Sequence, residues 1–110
     1  MSLDLDELRN ASCARQAEWD PGTQTTLLYR AVELGGEAGE ALNIIKKLER
    51  ELLGIRGARS SLEALFEELA DIVICADLVA QRADPTRSLA DAIRRKFNKT
   101  SEANSLETRL

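Results

Sequence analysis

Apolar residues recur at three- and four-residue steps along most of this chain, the spacing of helices that each bury one face. Four helices are predicted. The first runs from about Leu3 to Glu18, with Leu3, Leu5, Leu8, Cys13 and Ala17 as its apolar side. Trp19-Asp20-Pro21-Gly22 breaks it, because Asp-Pro-Gly is a strong turn signal. The second spans roughly Thr25 to Leu53 and carries Leu27, Ala31, Leu34, Ala38, Ala41, Ile45, Leu48 and Leu52 along one face. A loop from Gly54 to Ser61 follows, with Gly54 as C-cap. Ser60 or Ser61 caps the third helix, and Glu63 stands three residues after Ser60 as in a capping box. That helix reaches about Ala83. Between Leu69 and Ala80 only Asp71 and Asp77 interrupt its apolar run, so it is expected to be buried nearly all round. Asp84-Pro85-Thr86 ends it and caps a fourth helix, with Pro85 near its start. The fourth carries Leu89, Ala92, Ile93 and Phe97 beside a basic cluster, Arg94-Arg95-Lys96. The polar tail after Thr100 is expected to fray or to dock on a partner chain.

At 110 residues there is room for one domain, 1–110, with its core over about 19–101 and a tail at 102–110. Hydrophobic residues make up 44% and aromatics only 4%, a Leu/Ile/Val/Ala composition that suits helices. The expected fold is all-α, a four-helix bundle-like protomer. So small a chain has too little protein to cover its apolar third helix. The expected partner is a second copy, in an isologous dimer or a dimer of dimers. The net charge of -4 argues against a general nucleic-acid binder, which needs a basic footprint. The N-terminus, MSLDLDELRN, has acids where a signal peptide needs bases, and no apolar run reaches the roughly 18 residues of a membrane span. Cys13 and Cys75 form neither a metal-ligand spacing nor a disulfide framework, which points to a reducing cytoplasm, with Cys75 a small core residue. The absence of histidine excludes His-based acid–base catalysis, typical zinc sites and Glu-x-x-His di-iron bundles.

The chemistry is concentrated in two acidic pairs, Glu37-Ala38-Gly39-Glu40 and Glu68-Leu69-Ala70-Asp71. Spacing of i, i+3 puts both carboxylates of a pair on one helix face. Glu33, Glu37 and Glu40 fall beside the core stripe of the second helix rather than opposite it, where a purely structural helix puts its acids. Like charges brought together near a core repel, and burying them is costly unless a cation sits between them. Four converging carboxylates without histidine suit a hard divalent ion, Mg2+ first and Mn2+ as a substitute, and so phosphate chemistry.

Gly36-Glu37-Ala38-Gly39-Glu40-Ala41, followed by Glu67-Glu68-Leu69-Ala70-Asp71-Ile72-Val73, resembles the ExxE…ExxD signature of MazG-like, all-α nucleoside triphosphate pyrophosphohydrolases. The resemblance extends over about Trp19 to Ser101. It implies a helical protein that dimerises or pairs dimers, binds Mg2+ through both acidic motifs, and cleaves between the α and β phosphates of a nucleoside triphosphate. Carried over by position, Glu37, Glu40, Glu68 and Asp71 become the metal ligands and catalytic residues. Glu33, one turn before Glu37, is a further candidate. Lys96 and Asn98 match fourth-helix positions that approach substrate in the family.

For the rest, the residues themselves leave two readings each. Lys47 lies near the face of Glu33 and Glu40 and is a candidate for phosphate contact, or a solvated helix-end base. Trp19, the only tryptophan, either stacks on a base or plugs the space between helices. Tyr29 lines the site or packs. Arg56 and Arg59 close over phosphates or merely decorate a loop. Asp77 is expected in a structural ion pair or an interface. The competing functional class is a non-catalytic helical adaptor that keeps the acids as a vestigial ion site. Within the fold, a dUTP- or dCTP-specific enzyme or a phosphoribosyl-ATP pyrophosphohydrolase remains open.

Overall fold

A computed structural model describes residues 2–110 as four α-helices: α1 (Leu5–Trp19), α2 (Leu27–Leu52), α3 (Leu62–Ala83) and α4 (Leu89–Ala103). No strand occurs among the described residues. Each helix starts at a side-chain cap that satisfies an otherwise orphaned N–H. Asp4, Thr26, Ser61 and Ser88 accept from the amides of Glu7, Tyr29, Ala64 and Asp91 respectively. Of the two caps read for α3, Ser61 is the one used, which puts Ala64 rather than Glu63 at the third helical position, so no capping box forms. Pro85 lies before α4, not in its first turn. Asp84 accepts from the Thr86 amide and hydroxyl, and this turn delays the helix until Ser88 caps it.

The helix ends are as specific. Gly54 is the left-handed residue after α2, at φ 68°, with Ile55 N–H donating to the Arg50 carbonyl and Gly54 N–H to that of Glu51, a Schellman motif. Ser105 plays the same part after α4, at φ 55°, with Leu106 N–H donating to Ser101 O. The tail then turns back instead of fraying. Leu110 N–H donates to Asn98 Oδ1 at 2.8 Å, and Asn98 Nδ2 donates to the Leu110 carbonyl.

α2 and α3 form an antiparallel hairpin. Thr25, just before α2, accepts through its carbonyl from Arg82 near the end of α3, while Glu37 and Glu40 in mid-α2 meet Glu68 in the first half of α3. α1 packs across α3, and α4 lies against α1. Asp77 explains how α1 is held. It is completely buried and accepts from Arg9 Nε at 2.9 Å and from Gln81 Nε2 at 3.2 Å. The ion pair expected of Asp77 is present.

The protomer has little core of its own. Among the described residues, Ala41, Cys75 and Leu78 are its buried apolar residues. Its radius of gyration is 17.2 Å, against about 13 Å for a compact chain of roughly 100 residues. The expectation that α3 is buried nearly all round is not met within one protomer. Leu62, Phe66, Leu69 and Val73 line its outer side and stay exposed, because no other element of the chain reaches them. No helix among the described residues is long and apolar enough to cross a membrane.

Candidate metal centre and adjoining cavity

The antiparallel hairpin sets the first acidic pair opposite the start of the second. Carboxylate oxygens of Glu37, Glu40 and Glu68 lie within 4.8 Å of one another. Glu37 Oε2 and Glu68 Oε2 are buried and find no hydrogen-bond partner. Two buried acceptors left without partners are costly unless a proton or a cation satisfies them. Asp71 does not join this cluster. It is exposed, one turn further along α3, and lines a neighbouring cavity together with Glu33.

Electrostatics mark the same point. The Glu37 carboxyl beside Glu68, then burial, then Glu40, push the Glu68 pKa up from 4.5 to about 7. A carboxyl whose pKa rises on folding holds its proton more tightly in the folded chain than in the unfolded one. Between pH 4.5 and about 7 folding therefore takes up a proton, and stability falls as pH rises. Above about pH 7 Glu68 is ionised in both states and its contribution levels off. Metal-free protein is thus expected to melt at progressively lower temperature from pH 4.5 to about 7. Glu68→Gln should remove the part of that slope that belongs to this group. A metal-free melting temperature that climbs through this window in the wild type would contradict the raised value.

Glu33 belongs to a different set of contacts. Its Oε1 accepts from Arg30 Nη1 at 2.7 Å. Arg30 is only 6% exposed, and its Nη2 also donates to Gln16 Oε1 and Thr25 Oγ1, tying together α1, the connecting turn and α2. The sequence reading did not single out Arg30 or Gln16. The one local signal was the i, i+3 spacing of Arg30 and Glu33, which is common on solvated helix faces.

These residues form one wall of a cavity of about 610 Å³. Glu33 and Asp71 stand at its acidic side, each one turn from the carboxylate cluster, and Trp19 and Tyr29 line it too. Trp19 is 76% exposed, so it does not plug the space between helices. A smaller recess of about 340 Å³ shares Arg30 and Gln16 with it. Lys47 is half-buried on α2, two turns beyond Glu40. Lys96 and Asn98 stand on α4, and Asn98 is engaged by the tail. None of these three lines the cavity. Arg59 donates to Ile55 O, and Arg50 to Ala58 O, so these guanidinium groups brace the α2–α3 loop itself.

No family model, curated protein or solved structure matches the chain.

Proposed function

We propose that the chain is a Mg2+-dependent nucleoside triphosphate pyrophosphohydrolase, converting a (d)NTP and water to the monophosphate and pyrophosphate in nucleotide-pool house-cleaning. The observation that carries this reading is the three-carboxylate cluster with two buried, unpartnered oxygens. An all-oxygen, multiply anionic donor set fits a hard divalent ion. Glu37, Glu40 and Glu68 would hold it, and Asp71 would complete the set from the adjoining turn. Mg2+ there supplies charge neutralisation for the phosphate oxygens and a more acidic water. A carboxylate not spent on the ion would accept the proton of the attacking water. Glu33, held by Arg30, then orders the cavity wall rather than the ion.

The test is product analysis. Purified protein, a panel of NTPs and dNTPs, and Mg2+ should give monophosphate and pyrophosphate, with no turnover when metal is chelated. Diphosphate and orthophosphate would place cleavage at the other anhydride and defeat the reading.

The working form in this reading is a homo-oligomer, built on an isologous dimer. Leu28, Val32, Gly35, Gly39 and Leu42 on α2, and Leu62, Phe66, Leu69 and Val73 on α3, repeat at alternating four- and three-residue steps on exposed faces. A Cβ added at Gly35, Gly36 or Gly39 would meet nothing within 4 Å. The protomer alone thus gives no packing reason for three helical glycines, each costing about 1 kcal/mol relative to alanine. Close approach of a second copy gives one. Sedimentation at micromolar concentration should show a dimer or tetramer, and Phe66→Glu should shift it toward monomer. A stable wild-type monomer would defeat this part of the proposal.

A further inference from the structure

α4 stands apart from the α2–α3 hairpin and is packed mainly against α1, to which its cap is tied by Ser88 Oγ donating to Asp6. Beyond the first turn its apolar side has little cover. At about 100° per residue, Leu89, Ile93, Phe97 and Thr100 fall in one strip. Ile93 and Phe97 are 41% and 43% exposed. The charges are ordered around this strip. Arg94 lies about 100° from Ile93 on one side, and Lys96 and Lys99 lie about 60° and 120° away on the other. The acids of the helix, Asp91 and Glu102, lie about 160° and 180° from Ile93, on the far side. The tail docks on Asn98, about 140° from Ile93, so it does not cover the strip. The chain has a net charge of -4, yet Arg87 to Lys99 holds five bases and one acid. Arg95, Lys96 and Lys99 form no ion pair among the described residues. The Arg94–Asp91 contact is long, at 3.8 Å, and exposed, so it holds Arg94 only weakly.

Solvent alone does not sort bases from acids around a helix. A planar anionic surface does: it takes the apolar strip inward, meets long basic side chains on both flanks, and leaves acids pointing away. We propose that this face of α4 docks on a bilayer containing acidic phospholipids. Ile93 and Phe97 enter the boundary between headgroups and acyl chains, and Arg94, Lys96 and Lys99 reach lipid phosphates on either side. A second protein is the poorer fit. Two half-exposed large side chains supply a small part of the roughly 1,000 Å2 that a specific protein interface buries. On a bilayer each base adds its own attraction, so a narrow strip suffices. The faces proposed for the second copy lie on α2 and α3, not on α4.

The test is vesicle flotation at an ionic strength of about 0.15 M, where the Debye length of about 8 Å is shorter than a helix is wide. Two vesicle types would be used: pure phosphatidylcholine, and equal parts phosphatidylcholine and phosphatidylglycerol. The purified chain should float with the mixed vesicles and not with the neutral ones. Phe97→Ser should weaken binding about tenfold or more. Arg94→Gln and Lys99→Gln should weaken it about fivefold each. Asp91→Asn and Glu102→Gln, on the far side, should change it by about twofold at most. Helical circular dichroism and sedimentation would verify that each variant keeps its fold and its oligomeric state. No flotation with mixed vesicles, equal flotation with neutral ones, or wild-type binding by folded Phe97→Ser would overturn the proposal. So would a smaller oligomer in Phe97→Ser, which would assign the strip to a second copy. None of these residues lines the cavity or belongs to the carboxylate cluster, so lipid binding is read independently of hydrolysis.

Discussion

Replacing Glu37 by glutamine is expected to lower metal-dependent turnover by about a thousandfold or more while the helices remain intact. The expected loss is on the order of 4 kcal/mol of transition-state stabilisation, the scale of one metal ion's charge compensation at a phosphoryl centre. Glutamine keeps the shape of the side chain and removes the charge that the proposed Mg2+ would need. The same change relieves repulsion among the three clustered carboxylates, so the metal-free variant should be at least as stable as the wild type. Two measurements separate the effects. Steady-state hydrolysis with saturating Mg2+ reads the chemistry. Thermal melts with and without Mg2+ read the ion: the wild type should gain about 2.7 kcal/mol at a hundredfold excess over its dissociation constant, and Glu37→Gln should lose most of that gain. Glu68→Gln should behave likewise. Mg2+-dependent hydrolysis within about tenfold of wild type in either variant would remove the carboxylate cluster from the mechanism and favour the adaptor reading.

The helices were legible because their signals are local. The cap at Ser61, the Asp20-Pro21-Gly22 break and Gly54 at a positive φ act within a few residues of themselves. Where two local signals compete, the reading slips by a residue or more. Thr25 was taken into α2, but its amide and hydroxyl bind Asp20, so Thr26 becomes the cap. At the start of α4 the Asp84 turn takes precedence over the proline. The juxtaposition of Glu37, Glu40 and Glu68 was legible as well. Each acidic pair has a helical spacing, and a short loop joining two helices makes them antiparallel neighbours.

What sequence spacing does not carry is tertiary partnership. Arg30 reads as one more surface base until α1 lies against it, and only then do Gln16 and Thr25 converge on its guanidinium. Asn98, matched by resemblance to a substrate contact, holds the returning tail through Leu110, twelve residues on, a pairing set by the left-handed turn at Ser105. The outer faces of α2 and α3 show the same gap from the other side. Their spacing announces burial, but one protomer supplies nothing to bury them against. In the proposed dimer a second copy covers them, and the stability of the hairpin, and of the cluster it carries, would then depend on protein concentration.

Within the protomer, the contact whose loss should cost most is that of Asp77. Asp77→Ala is expected to destabilise the fold by about 3–5 kcal/mol, because it strands a charged guanidinium in the interface between α1 and α3. The Arg9 side chain is 12% exposed, and its Nη2 is already buried without a partner. Arg9 Nη1 donates to the carbonyls of Pro85 and Arg87, so the same side chain also holds the turn between α3 and α4. Asp77→Asn, which keeps an acceptor for Arg9 Nε but loses the one that faces Gln81, should cost less. The double change Arg9→Met with Asp77→Leu should recover much of the loss, since a well-packed apolar pair often equals a buried ionic one. Denaturant unfolding of the wild type, Arg9→Met, Asp77→Leu and the double variant at one concentration forms a double-mutant cycle and reads the coupling directly. A loss below about 1 kcal/mol for Asp77→Ala would mean that the pair is solvated and that α1 is held elsewhere. If the expected loss is found, Trp19 and Gln16 owe their positions at the cavity to a buried charge on α3, and the variant should bind ligand poorly even where its carboxylate cluster is intact.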